Sequence, residues 1–425
     1  MFMENLLKNE KITKAVLVGV LLRDSDEQDF EASLEELARL AETAGAEVFA
    51  VFTQNKETPD PRSYLGSGKL AELKELCSGN DVDTVVFDGE LSPSQIKNIE
   101  DDLGGDVTVL DRSMLILDIF ALHAKSGEGK LQVELAQLKY TVPRLTGHGI
   151  ELSRLGGGIG TRGPGESKLE TDRRHVNRRI DALKSQIAEL EKNRATQRSA
   201  RDRSGIFRVA IVGYTNAGKS TLLNALTGAG VLSEDKLFAT LDTTTRKYSL
   251  PSGEEMLLTD TVGFIRNLPH HLVESFKSTL DEVRYSDALL VVVDMHDPEY
   301  PRQTKVTEKL IEELGAGSLP VLYVYNKCDL PSPLRPRTPE SENVYISALT
   351  GEGFDTLAAR LGDIVRARKK TLTFEFPADR LGLINSLYSS ATVISCEYTE
   401  NGATVRATVD KRTEGALEKY IKTEN

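Results

Sequence analysis

The chain of 425 residues has no tryptophan, only three cysteines and few aromatic residues of any kind. Cys77, Cys328 and Cys396 lie far apart, with no pair at metal-binding or redox spacing. They read as incidental thiols of a reducing compartment, not as a zinc site or a disulfide framework. Long apolar runs are missing too. The longest, "ALLVVVDM" at 288–295, is far short of a membrane span and reads as a buried strand. The segment "MFMENLLKNE" lacks the basic-then-apolar build of a secretory signal. These absences predict a cytoplasmic protein without a membrane span, and the length predicts several domains.

Basic charge is in deficit overall, with 53 Lys and Arg against 65 Asp and Glu and a net charge of −12. Taken alone, that argues against a nucleic-acid partner. The distribution changes the picture. Residues 1–138 hold 13 basic and 27 acidic side chains, residues 139–208 hold 16 and 8, and residues 209–425 hold 24 and 30. A stretch of net +8 therefore lies between two acidic bodies.

Short Val- and Phe-rich runs ("KAVLVGVLL", "AEVFAVF", "TVVFDG", "DVTVL") alternate with amphipathic stretches over the first 110 residues. This alternation predicts a doubly wound α/β domain over residues 1–112. Within it, Ser92-Pro93 reads as a helix cap followed by proline in the first turn. One helical section follows from residue 112 to 140. A second helix pattern starts at Leu169, with Val176, Ile180, Leu183, Ile187 and Leu190 completing a heptad seam. The two are expected to pair as an antiparallel hairpin over 113–204, with the Gly/Arg-rich segment between them as its loop. A P-loop domain is expected over 205–370. The remainder, 371–425, reads as strand, helix, hairpin and helix, a small α+β domain with Asn401-Gly402 at the hairpin tip.

The chemistry is concentrated in the third domain. "FRVAIVGYTNAGKSTLLNALTG" sets a glycine loop, Gly213, Tyr214, Thr215, Asn216, Ala217, Gly218, Lys219 and Ser220, between an apolar strand and a helix. Backbone N–H groups and the helix dipole would face phosphates, with Lys219 at the β and γ positions and the Ser220 hydroxyl on Mg2+. "LFATLD" supplies Phe238, Ala239, Thr240, Leu241 and Asp242, with Thr240 the second hydroxyl ligand for Mg2+. "LLTDTVGF" supplies Asp260, Thr261, Val262 and Gly263: Asp260 for the Mg2+ shell, and the Gly263 N–H for the γ-phosphate. Taken singly, Asp260 could be a helix or turn cap and Thr240 a solvated loop residue.

Base choice rests on "NKCD" (Asn326, Lys327, Cys328, Asp329) and "SAL" (Ser347, Ala348, Leu349). A carboxylate at Asp329 accepts both guanine N1–H and the exocyclic amine, which adenine cannot satisfy. Asn326 would tether the ring side, the Lys327 stem would cover the base, and the Ala348 N–H would reach guanine O6. Glycine loop, Thr240, DxxG, NKxD and SAL stand in the order a GTPase needs, so GTP and GDP are the expected ligands. Lys219, Thr240 and Gly263 are the expected catalytic residues. The position after DxxG is Phe264, which cannot orient water as a glutamine does, so unassisted hydrolysis should be slow. Asn216 fits either of two roles: recruiting K+ to the phosphates, or simply favouring the loop's backbone conformation.

The stretches "QVELAQLKY", "RLTGHGIELSRLGGGIGTRGPGESKLETDRR" and "LFATLD" resemble the HflX family of Obg-related, ribosome-associated GTPases almost residue for residue, and the resemblance covers the whole chain. It departs from the family at "LDTTTR", where proline usually follows the aspartate. The resemblance implies binding to the large ribosomal subunit and its RNA. It also implies splitting or rescue of stalled or stressed ribosomes in the GTP state, with hydrolysis resetting binding. The Gly/Arg segment then reads as an RNA-contacting loop, with Arg154, Arg162, Arg173 and Arg174 as phosphate contacts, or else as a linker. The family also suggests ATP binding at the amino-terminal domain, where "YLGSGKL" places Gly66, Gly68 and Lys69 at a helix start; the motif is a weak one, and a helix-entry turn is the simpler account of it. An ATP-dependent RNA remodeller regulated by the GTPase is the alternative reading.

Overall fold

The computed structural model describes residues 13–143, 164–228, 230, 236–269, 272, 277–331 and 343–422. Four strands, β1 (Thr13–Leu22), β2 (Ala46–Lys56), β3 (Thr84–Phe87) and β4 (Thr108–Asp111), form a parallel sheet in the order β2-β1-β3-β4. Helices α1 (Glu27–Thr43), α2 (Ser67–Gly79) and α3 (Pro93–Leu103) make the crossovers. Because both faces are covered, the central strands are continuous apolar runs; Ala15–Val18 are fully buried. Leu34, Leu37 and Leu40 of α1 cover one face, and Leu70, Leu73 and Ile99 cover the other. Ser92 caps α3 as expected: its hydroxyl accepts from the Gln95 N–H while the Gln95 side chain accepts from the Ser92 N–H.

The helical section beyond residue 112 is two helices, not one. Helix α4 (Arg112–His123) ends at Ala124, and α5 (Gly127–Thr141) begins after Ser126, whose hydroxyl accepts the Gly129 N–H at 2.8 Å. Nearly every residue of α4 from Leu115 to Phe120 is buried, so α4 packs with α1 on the first sheet and leaves the hairpin to α5. The partner of α5 is the 41-residue helix α6 (Pro164–Ser204). Leu135 packs against Ile180 and Leu183 at the centre of the seam, with Val176 and Ile187 beside them. Arg194 pairs with Glu128 and Arg179 with Glu134, a descending order that makes the hairpin antiparallel. These partly exposed pairs fix register more than they add stability.

The second sheet has the order β10-β9-β8-β5-β7-β6 and is built from β5 (Phe207–Gly213), β6 (Thr244–Ser249), β7 (Glu255–Asp260), β8 (Ala288–Asp294), β9 (Val321–Asn326) and β10 (Val344–Tyr345). Only β6 runs antiparallel to its neighbour. Helix α7 (Lys219–Thr227) follows β5 through the glycine loop. Strands β11 (Lys370–Pro377), β12 (Thr392–Thr399) and β13 (Gly402–Val409) form a small antiparallel sheet over a core that includes Phe374, Phe376 and Leu387. The chain is an α/β protein with one parallel and one mostly parallel sheet, a helical hairpin and an α+β carboxy-terminal region. Apolar residues of the GTPase sequence motifs, Tyr214, Leu237, Phe238, Leu241, Val262 and Ile265, are buried in the same core as α1, α4 and α5.

Candidate functional site

The glycine loop sits at the carboxyl end of β5, where a parallel α/β sheet opens its ligand crevice. Gly213 (φ +148°) and Gly218 (φ +92°) hold backbone conformations that L side chains rarely adopt. A side chain at Gly213 would also collide with the Val292 carbonyl, and one at Gly218 with the Asn326 amide. Asn216 has φ +61°, so the backbone role considered for it is met in the structure. Thr215, Asn216, Gly218, Lys219, Ser220, Phe238, Ala239, Thr240, Thr261 and Gly263 line an open cleft, joined by Thr221 and Lys236. The sequence reading missed those last two. Thr221 was within reach of it, since it follows Ser220 directly in the first turn of α7.

Lys219 is buried, and its ammonium donates to the carbonyls of Gly213 (3.1 Å) and Tyr214 (2.7 Å). Burial pushes its pKa down to about 8. Ser220, Thr240 and Asp260 converge as the motif order predicts: the Ser220 hydroxyl lies 2.7 Å from Thr240 Oγ1 and donates to Asp260 Oδ2 at 2.6 Å. Asp260 is fully buried, and its Oδ1 has no hydrogen-bond partner. Burial raises its carboxyl above the usual range, while the nearby Lys219 opposes that rise. Two hydroxyls and a carboxylate with an unsatisfied oxygen form a hard-oxygen donor set of the kind Mg2+ takes.

Gly263 lies against the loop so closely that a Cβ there would sit 2.8 Å from Thr215 Cα and 3.0 Å from Lys219 Nζ. Thr261 is buried and donates its hydroxyl to the Ile211 carbonyl, and Val262 packs inward. Phe264 is 1% exposed among Val212, Leu280 and Val291, so its ring supports the sheet and is turned away from the cleft.

The NKCD and SAL motifs meet through Asn326. Its amide donates to the Ala217 carbonyl at 2.8 Å, and its carbonyl accepts the Ala348 N–H at 2.9 Å. In this structure the donor expected for guanine O6 is therefore engaged by Asn326. Lys327 (φ +65°) pairs with Asp294 at 2.6 Å, and the Cys328 N–H donates to the Ile346 carbonyl. Asp329 is exposed in the turn that follows β9. Ser347 is buried and its hydroxyl accepts the Thr350 N–H, which shapes the turn that exposes Leu349.

Asp242 stands apart from the phosphate cleft. Its Oδ2 accepts from the N–H groups of Lys125 (2.9 Å) and Ser126 (2.7 Å), and its Oδ1 accepts the Ser126 hydroxyl, so the carboxylate anchors Ser126, the cap of α5. Leu241 is buried beside it, and the Phe238 ring meets Phe120 of α4 edge-on at 4.7 Å. The Thr240 loop thus rests on the amino-terminal core. At the surface of the other face of that sheet, Lys69 pairs with Glu72 at 2.7 Å and lies over the Phe52 ring, and the Gly66 N–H donates to Gln54. Arg173 and Arg174 are exposed on α6, whereas Arg154 and Arg162 lie outside the described residues. Among the described residues no helix is long and apolar enough to cross a membrane.

Three family models match in sequence: a GTP-binding GTPase N-terminal region over 31–121, a GTP-binding GTPase middle region over 123–201, and a 50S ribosome-binding GTPase over 208–327. A GTP-binding protein from Sulfolobus solfataricus, solved in complex with GDP, is 27% identical and covers 83% of this chain, with a TM-score of 0.44. The GTPase HflX of Caldanaerobacter subterraneus is 49% identical over 99% of this chain and 96% of its own length. That of Escherichia coli K12 is 40% identical over 92% of both. Identity at this level, running through the hairpin as well as the nucleotide motifs, places the chain in the HflX family of GTPases, enzymes that hydrolyse GTP.

Proposed function

We propose that this GTPase binds the large ribosomal subunit in its GTP state, splits or rescues stalled ribosomes, and is released when hydrolysis resets the switch. The observation that carries this reading is the seat of the Thr240 loop on the hairpin: Asp242, two residues beyond Thr240, holds Lys125 and the cap residue Ser126 at the start of α5. A change in Thr240 on gain or loss of the γ-phosphate would pull on the helix that holds α6. The exposed Arg173 and Arg174, toward the amino-terminal end of α6 and away from the Thr240 loop, suit phosphate backbones.

In this reading the nucleotide domain works by positioning. Ser220, Thr240 and Asp260 hold Mg2+, which neutralises charge on the β and γ phosphates when bound. The backbone of residues 213–219 cradles the phosphates, Lys219 leaves its carbonyl partners to meet them, and the Gly263 N–H faces the γ-phosphate. Asp329 selects guanine. With Phe264 buried, no side chain directly after DxxG orients water, so the ribosome supplies the missing stimulation. Asn216 is the residue through which K+ would add to it.

Ribosome sedimentation with GTP, GDP and a non-hydrolysable analogue tests the reading. Co-sedimentation with large subunits, together with loss of the 70S peak only in the GTP and analogue arms, is expected. Equal binding in all three arms would refute the switch. Equal ribosome-stimulated rates in K+ and Na+ would remove K+ alone.

A further inference from the structure

The segment after Gly263 is tied down at two points. At Phe264 the N–H donates to the Gly213 carbonyl (3.0 Å), and the carbonyl accepts the Thr215 N–H (2.8 Å). At Arg266 the N–H donates to the Tyr214 hydroxyl (2.7 Å), and the carbonyl accepts from Arg112 Nη2 (3.3 Å). Three residues span at most about 10 Å, so what fixes residue 266 also constrains the amide of Gly263.

The second tie depends on the amino-terminal core. A phenol has one proton. Burial and the Glu36 carboxylate push the Tyr214 hydroxyl far above its ordinary pKa, so it stays protonated. Since it accepts from the Arg266 N–H, its own proton goes to Glu36 Oε2. The other Glu36 oxygen accepts from Arg112 Nη2, and Arg112 Nη1 reaches Asp88 at 2.7 Å. The ring closes on itself: Arg112 to Glu36, Glu36 to Tyr214, Tyr214 to the Arg266 N–H, and the Arg266 carbonyl back to Arg112. Arg112 is 2% and Glu36 8% exposed, so water cannot replace a missing member. The Arg266 side chain adds Glu299 at 3.4 Å and lies 3.8 Å from both Glu36 and Asp29.

We propose that Glu36 and Arg112 are positioning residues for GTP hydrolysis, acting through Tyr214 and the backbone of Arg266 on the Gly263 amide. Neither reaches the nucleotide cleft. They hold in place a segment that leaves no room for a side chain between Gly263 and the phosphate loop, and small displacements of such groups cost rate heavily.

The test measures single-turnover GTP hydrolysis and GDP affinity in Glu36→Gln, Tyr214→Phe and the double variant. Each single change should slow hydrolysis about tenfold, the equivalent of one buried hydrogen bond, and leave GDP affinity within about twofold. The double variant should be no slower than Tyr214→Phe alone, because both changes break one chain of bonds. Unchanged hydrolysis, losses that multiply in the double variant, or parallel losses of rate and GDP affinity would overturn the proposal. Tyr214→Phe leaves the ion pairs intact and tests the relay itself, so unchanged hydrolysis in that variant overturns the proposal even if Glu36→Gln does not fold.

Discussion

Replacing Asp242 with alanine should loosen a helix far from it in sequence. One carboxylate receives two backbone N–H groups and one hydroxyl at the start of α5. Hydrogen bonds to a charged acceptor contribute about 1.5–3 kcal/mol each, and an anion at a helix N-terminus adds about 0.3–1 kcal/mol. Lys125 is exposed, so water recovers most of its bond. Ser126 is half-buried, and its hydroxyl keeps the Gly129 N–H as a partner. The net local loss should be about 2–3 kcal/mol. In hydrogen exchange that is roughly 30- to 150-fold faster exchange of the Ser126–Lys130 amides, with α3 unaffected as internal control. Gly129→Ala should reproduce part of the effect, since a methyl there would collide with Asp242 Oδ1. Unchanged protection of residues 125–130 in Asp242→Ala would refute the anchor and, with it, the mechanical link from the Thr240 loop to the hairpin.

Asp329→Asn should weaken GTP binding and admit xanthine nucleotides, whose C2 carbonyl pairs with the new amide; retained wild-type GTP affinity in a competition assay would count against the role of Asp329. Asp118, buried in α4, has its carboxyl pushed up to about 6 by desolvation, so the folded state holds its proton more tightly than the unfolded state. Stability should therefore fall as pH rises from about 4 to 6, and Asp118→Asn should recover roughly 2–3 kcal/mol at pH 7.5 and little at pH 4, read from urea midpoints. Neutralising Arg173 and Arg174 should flatten the salt dependence of ribosome binding by roughly one unit of slope per arginine that meets a phosphate, and an unchanged slope would place the RNA-binding surface elsewhere.

The nucleotide motifs were legible because each is local: a strand, a few loop residues and a helix start carry the whole signal, and their order supplies the rest. The hairpin seam was legible for the same reason, as a spacing of Val176, Ile180, Leu183 and Ile187. The break between α4 and α5 was not. Its signal, Ser126-Gly127 ahead of an amphipathic run, is a weak one, and the force behind it is that α4 is buried from Leu115 to Phe120 and sinks into the first core. Proximity to Thr240 in sequence points Asp242 toward the nucleotide, but its partners lie 116 and 117 residues away. Glu36 reads in sequence as one more acid of a solvated helix. Its place between Ser33, Leu37 and Leu40, on the buried side, is the clue to its role.

The shared core of α1, α4 and the motif loops has a consequence for synthesis. The amino-terminal sheet leaves the ribosome first, but Phe120 does not meet Phe238, nor α1 meet Ile265 and Leu272, until about 150 more residues have been made. At ~5–20 residues per second that interval is roughly 8–30 s. For that time the nascent domain carries an uncovered apolar face with Glu36 and Arg112 at its centre. The Glu36–Arg112 ion pair is part of that face, and it is the Tyr214 hydroxyl and the Arg266 backbone of the later-made chain that complete its hydrogen bonds.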